Sequence, residues 1–326
     1  MSIRDRRRRF DFFSRLIDDP DGDGYLVEVI PDPSRYEWRE RGGERLLFDR
    51  LDKCFLPPEF LHQVAEYAAS HPPHMEPPDI LDAAEYTRSR VALIRDRLDG
   101  KAPSPDLSDK SAAFLDRLRD RDTGFVIASV DLVASTSLWR TIDRDTCIRV
   151  LQTTQHEFAE AVARFHGHVL KYTGDGLIAY FAEPTITAKS DLAIDCALTL
   201  HRLMYTTINP LLRDRGLPAL AIRTGMDVDE ARVTVTGSAA TKLQVDILGE
   251  VVNLATKIQQ QVAAPGDICV RAALERNLHT HWRKLCHPSE LPTDWPHTDF
   301  DGSPYRVFAF TPAWTKPHVP EVDSSS

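Results

Sequence analysis

The chain has 326 residues, with 40 Lys plus Arg against 49 Asp plus Glu and a formal net charge of -9. That length exceeds one typical domain of ~100–200 residues and predicts two units. The acidic balance argues against a general nucleic-acid or anionic-membrane surface, so a phosphate ligand would need a local basic pocket.

No run of ~18 apolar residues is present to span a bilayer. Cys54, Cys147, Cys196, Cys269 and Cys286 stand singly, without zinc-type spacing, and read as reduced cytoplasmic thiols. The opening MSIRDRRRRFDFFSRLIDD has an arginine cluster but no apolar core or cleavage site, and reads as a solvated helix start or basic arm.

Residues 1–105 are charged and proline-punctuated, with PDPSRYEWRERGG and ASHPPHMEPPD as breakers. Two patches within them have helical pattern, PPEFLHQVAEYAAS and DILDAAEYTRSRVALIRDRLDG, so a mainly helical accessory region is expected. DPDGDG spaces Asp19, Asp21 and Asp23 like a calcium loop, but its twelfth position is Ile30 where a bidentate glutamate belongs, so a polar turn is expected. Residues 106–122 form a linker and lead-in helix, 123–312 the main domain, and 313–326 a tail.

In the main domain, GFVIASVDL has the pattern of a buried strand, and STSLWR opens a helix that breaks and resumes through RDTCIRVLQTTQHEFAEAVARFHG. HVLKYTGDGLIAYF reads as two strands about a tight turn, followed by a long helix to Gly216. ALAIRTGMDVDEARVTVT reads as a pair of strands, GEVVNLATKIQQQVAA as a helix and YRVFAF as a closing strand. Strand, helix, strand, strand, helix, strand is the order of an α+β, ferredoxin-like sheet.

Asp131 ends the first strand and Asp175 sits in the hairpin turn, so both carboxylates reach one sheet edge. Taken alone, GDG is an ordinary turn whose Gly174 and Gly176 supply positive φ. Together the carboxylates make a hard-oxygen site for Mg2+ or Mn2+, cations that keep substrate phosphates as ligands. The amides of Val133, Ala134, Ser135 and Thr136 then lead into a helix and offer a polyphosphate cradle. His156, His166 and His168 have no matching metal partner. Trp139 is expected to pack on the sheet.

VDLVAST, KYTGDGLIAYF, AIRTGMDV and DILGEVVNLATKI, in this order, resemble the class III nucleotidyl cyclases over roughly Gly124 to Phe310. The resemblance implies a class III cyclase catalytic domain behind the N-terminal extension, acting on a nucleoside triphosphate. It implies that Asp131 and Asp175 hold two divalent cations and that Lys171 and Asp246 read the base. It further implies that Asn253 orients the ribose, that Arg223 contacts phosphate, and that active sites form at a head-to-tail homodimer interface.

Two positions depart from the family pattern. Lys257 stands where an arginine usually stabilises the pentavalent phosphorus, keeping the charge but losing the planar fork. Asp301 stands before Gly302 where a late lysine is usual, leaving Arg223, Lys257, Arg306 or Trp282-Arg283-Lys284 to grip the triphosphate.

Lysine and aspartate match the edges of uracil, cytosine and adenine alike, and only guanine clearly calls for another pair. The VDLVASTSLW motif and the short N-terminal region resemble the bacterial pyrimidine cyclases of antiphage Pycsar systems. That resemblance implies UTP as substrate and a separate cyclic-nucleotide effector, with an adenylate or cytidylate cyclase as alternatives. A nucleotide-binding module without turnover is the non-enzymatic alternative, favoured by Lys257 and disfavoured by the intact aspartate pair.

Overall fold

A computed structural model describes residues 9–18, 25–57, 59–62, 64, 77–101, 109–133, 135–183, 185–298, 302 and 305–310. The chain divides into two compact units. One runs from Pro77 to Leu278 and on from Leu285; the other takes Arg8–Glu76 with His279–Lys284.

The larger unit begins with helices α1 (Ala83–Ser89), α2 (Val91–Leu98) and α3 (Lys110–Asp116). Asp82 and Asp109 cap the first and third of these, Asp82 accepting from the Ala84 and Glu85 amides and Asp109 from the Ala112 amide. The expected accessory region ran through residue 105, yet α1 and α2 belong to this unit. Arg90, between them, donates to the buried Glu157 carboxylate at 2.7 and 2.9 Å.

Next come β6 (Asp122–Val133), α4 (Ser135–Thr141), α5 (Arg144–Arg164), β7 (His168–Tyr172), β8 (Leu177–Phe181) and α6 (Ile186–Leu203). A π-helical turn, Met204–Ile208, carries α6 into α7 (Asn209–Arg213), and β9 (Ala221–Ser238), β10 (Lys242–Leu248) and α8 (Glu250–Gln261) follow. The unit closes with β11 (Ile268–Arg271), α9 (Ala272–Glu275), β12 (Cys286–Pro288) and β13 (Val307–Phe310).

The spatial order β12-β13-β11-β9-β6-β8-β7 contains β9-β6-β8-β7, the arrangement of a ferredoxin-like βαββαβ core, with the β6 pairings antiparallel. Phe125 to Val130 are buried without alternation because both faces of this central strand are covered. Phe125, Ile127, Tyr180 and Val233 pack with Val251 and Ala255 of α8. Gly225 permits this contact: a Cβ there would overlap backbone atoms of Ala255 and Gln259.

ALAIRTGMDVDEARVTVT is one strand rather than the expected pair; β9 runs unbroken for 18 residues and turns through Ala239–Thr241 into β10. Its MDVDE run hides the period because Asp227 and Asp229 are buried, both facing Arg271 at 3.3 and 3.8 Å.

The smaller unit corrects the expectation of a mainly helical N-terminal region. β1 (Phe12–Asp18) pairs with β2 (Tyr25–Pro31), and β3 (Tyr36–Arg41), β4 (Glu44–Asp49) and β5 (Cys54–Phe55) form a second antiparallel sheet. Gly42 and Gly43, grouped above with the breakers, have φ of 63° and 83° and make the two-residue β3–β4 hairpin turn. The charged alternation of YEWRER masked the strand, since its outer positions carry arginine and glutamate. Fully buried Arg35 donates to Asp49 at 2.8 Å and Asp11 at 3.1 Å, and Asp11 also accepts from the Thr280 amide at 3.1 Å. α10 (Thr280–Arg283) belongs to this unit, with Arg283 donating to Asp52 at 3.0 Å. DPDGDG, residues 106–108 of the expected linker and the 313–326 tail lie outside the described residues.

Candidate active site

The GDG turn is shaped by close approach as much as by φ. Gly174 has φ 97°, and its carbonyl accepts from Gln155 Nε2 at 2.8 Å. Gly176 is not at positive φ, contrary to the expectation for both glycines. A Cβ there would overlap the Val130 carbonyl oxygen and lie 2.9 Å from Asp131 Cα. The missing side chain lets the turn press onto the end of β6, and Asp175 thereby reaches the Asp131 carboxyl.

Asp131 is half-buried at the β6 terminus, opposite Arg223 in the β6–β9 register. Its Oδ2 accepts from Arg223 Nη2 at 3.4 Å and from Gln259 Nε2 at 3.3 Å. Arg223 Nη1 also donates to the Gln260 carbonyl at 3.1 Å. Burial, then the Asp175 charge, pushes the Asp131 carboxyl above the usual aspartate range, while Arg223 draws it down. Mutual repulsion between two oxygen donors is what a divalent cation relieves, so the pair fits Mg2+ or Mn2+. Among the described residues no third His, Cys, Asp or Glu joins them. Further ligands would be backbone oxygen, water or substrate phosphate, as such cations accept.

Ser135 and Thr136 open α4 directly after β6, while Ala134 lies outside the described residues. Exposed Asn253 and half-buried Lys257 stand one helical turn apart on α8, and Lys257 Nζ lies 3.2 Å from His297 Nε2.

Lys171 on β7 and Asp246 on β10 line a cleft of about 1250 Å³ whose other walls include Ser111, His156, Tyr172 and Tyr180. The Asp246 carboxylate accepts from the Ile247 amide at 2.8 Å. Asp131, Asp175, Arg223, Asn253 and Lys257 are not among the residues lining this cleft. Lys171 and Asp246, expected to read the base, thus share a cleft, and Asp131 stands with Asp175, but the aspartate pair does not line that cleft.

The residues expected as alternatives for gripping the triphosphate belong to different units. Trp282, Arg283 and Lys284 fall in the smaller unit. Arg306 is exposed beside β13, its carbonyl accepting from the Ala272 amide at 2.9 Å. Asp301 lies outside the described residues. Trp139 is 48% exposed rather than packed on the sheet. His168 stacks between Phe114 and Tyr180, a core role, whereas His156 faces the cleft.

Two contributors escaped the sequence reading. Gln259 had a signal, a polar residue on the apolar face of α8. His297 had none, because it meets Lys257 across 40 residues of chain.

The class of protein is thus α+β, with a ferredoxin-like sheet that brings paired carboxylates towards the end of its central strand. The adenylate and guanylate cyclase catalytic domain model matches residues 124–290, just over half of the chain, and the protein belongs to that family. Its fold is similar to that of the adenylyl cyclase CyaB from P. aeruginosa, 15% identical, over 59% of this chain and 96% of that one, with TM-score 0.51. The guanylyl cyclase Cya2 is 19% identical over 62% of this chain and 98% of its own, with TM-score 0.49. No curated protein matches the chain. No helix among the described residues is long and apolar enough to cross a membrane.

Proposed function

We propose that this cyclase-family protein is a metal-dependent enzyme that converts UTP to 3′,5′-cyclic UMP and pyrophosphate. One observation carries the reading: the GDG turn presses onto β6 and brings Asp175 to the Asp131 carboxyl.

Asp131 and Asp175 hold the cation site, with Arg223 and Gln259 fixing Oδ2 of Asp131. Two divalent cations bound there would favour ionisation of the ribose 3′-hydroxyl and offset charge developing at the α-phosphate. Asn253 orients the ribose, Ser135 and Thr136 face the phosphates, and Lys257 with Arg223 offsets phosphate charge. The 3′ oxygen bonds to the α-phosphorus as the bond to the β-phosphate bridging oxygen breaks; the hydroxyl proton passes to solvent and pyrophosphate leaves.

Lys171 donates to uracil O4 and Asp246 accepts from N3–H. UTP is chosen on the resemblance of VDLVASTSLW to the pyrimidine cyclases, and the product is a cytoplasmic antiphage messenger read by a separate effector. ATP is the second reading, because the same pair complements adenine N1 and its amine. Purified protein with Mn2+ and each of the four nucleoside triphosphates tests both. Pyrophosphate release with a product of cyclic UMP mass supports UTP, cyclic AMP supports the second reading, and silence with all four overturns the enzyme.

The partition of the site supports a homodimer in which the aspartate pair of one copy faces the base cleft of the other. Asp175→Asn and Asp246→Asn proteins, each inactive alone, should regain activity when mixed, because one composite site per heterodimer is intact. No recovery in a mixture that has exchanged subunits would place each site within one chain.

A further inference from the structure

His297 sits in the loop leading to β13, its ring 5.0 Å from that of Trp295 and 6.2 Å from that of Tyr305. Those neighbours pack on a core patch that includes Leu254 and Ile258 of α8, so the imidazole is braced against the helix carrying Lys257. Its Nε2 lies 3.2 Å from Lys257 Nζ. An ammonium group only donates, so this contact requires Nε2 as acceptor and the ring proton on Nδ1. Burial, then the Lys257 charge, lowers the imidazole pKa, with Glu250 on α8 opposing, so the neutral form that can accept is favoured.

We infer that His297 is a positioning residue that holds Lys257 on the triphosphate side of α8, making an anchored lysine serve where the family's pattern has an arginine. The inference rests on the cyclase reading above. Arginine is rigid because its fork is planar, whereas lysine brings a flexible four-carbon stem. One N–H of Lys257 spent on His297 fixes the stem and leaves two for phosphate oxygens. Asn253, one turn earlier on α8, places the ribose on the same side.

The test uses the full chain with Mn2+ and two readouts, turnover of UTP or ATP and calorimetric affinity for the matching 3′-deoxynucleoside triphosphate, which cannot cyclise. His297→Ala should weaken both, with kcat falling ~10–100-fold, the scale of a misplaced catalytic group. His297→Gln, whose carbonyl can accept from Lys257, should recover much of the loss. Lys257→Arg should recover it in the His297→Ala background, because a guanidinium needs no anchor. Lys257→Ala/His297→Ala should be no worse than Lys257→Ala alone. The acid limb of kcat should also lose one titrating group in His297→Gln. Unchanged kinetics and affinity in His297→Ala, or additive losses in the double variant, would overturn the inference while leaving the cyclase reading intact. Wild-type protein that neither binds nor turns over any nucleotide would instead overturn that reading, and this inference with it.

Discussion

Arg223 and Asp131 face each other across the β6–β9 register, with Arg223 Nη2 3.4 Å from Asp131 Oδ2. The arginine expected from the family resemblance to contact phosphate is the counter-ion of the first aspartate here. It also opposes the upward push that burial and Asp175 exert on Asp131. Arg223→Gln should therefore raise the Asp131 pKa further. Because cation binding needs the ionised carboxylate, the acid limb of Mn2+ binding should move to higher pH. Electron paramagnetic resonance titration of free Mn2+ reads this directly; an unshifted limb would remove Arg223 from that role.

Removing the other charge acts in the opposite direction. Asp175→Asn relieves Asp131 of its like-charged neighbour and should lower the Asp131 pKa. Pyrophosphate release should fall at least ~100-fold, while the melting temperature without metal should stay level or rise. A fall in both would mean that Asp175 is needed for the fold.

The two turn glycines should respond differently. Gly176→Ala would meet backbone of Val130 and Asp131, which cannot move aside cheaply, so the turn must shift and carry Asp175 with it. Activity should fall ~100-fold, with a stability cost of about 1–3 kcal/mol. At Gly174 the φ of 97° strains an alanine, but the space is open. Gly174→Ala should cost about 1 kcal/mol with much milder loss of turnover. Equal activity in the two variants would remove close approach as the reason for Gly176.

Buried His201 gives a pH signature away from the site. Its Nε2 pairs with Thr224 Oγ1 at 2.9 Å, and burial lowers its pKa to about 3. The unfolded chain protonates this histidine near pH 6.5, so it binds more protons than the folded chain between these values. Stability is full above pH 6.5 and is lost as pH falls. At pH 5 the loss is about 2 kcal/mol, the equivalent of roughly 1.5 pKa units. Urea midpoints at pH 7.5 and 5.0 should differ more for the wild type than for His201→Gln; equal differences would exclude His201.

Much of the catalytic unit was legible because its signals are local. The apolar run before Asp131, the GDG turn, and the α8 stripe with Asn253 and Lys257 on its open face each lie within a few residues. In the smaller unit local signals misled: Gly42 and Gly43 marked a hairpin, not a break, and the outer face of β3 is charged enough to hide its period. MDVDE similarly concealed a strand, because buried Asp227 and Asp229 face Arg271, which the sequence places more than 40 residues away.

The sequence by itself determined the family, the ferredoxin-like order of elements and the two aspartates, since hydrophobic period, turn chemistry and short motifs are written over neighbouring residues. Tertiary structure decided what those residues touch. Strand register set Arg223 against Asp131, the packing of Gly176 on β6 brought Asp175 to Asp131, and loop closure over 40 residues brought His297 to Lys257. Such contacts depend on pairing and burial between distant segments, which no local pattern encodes.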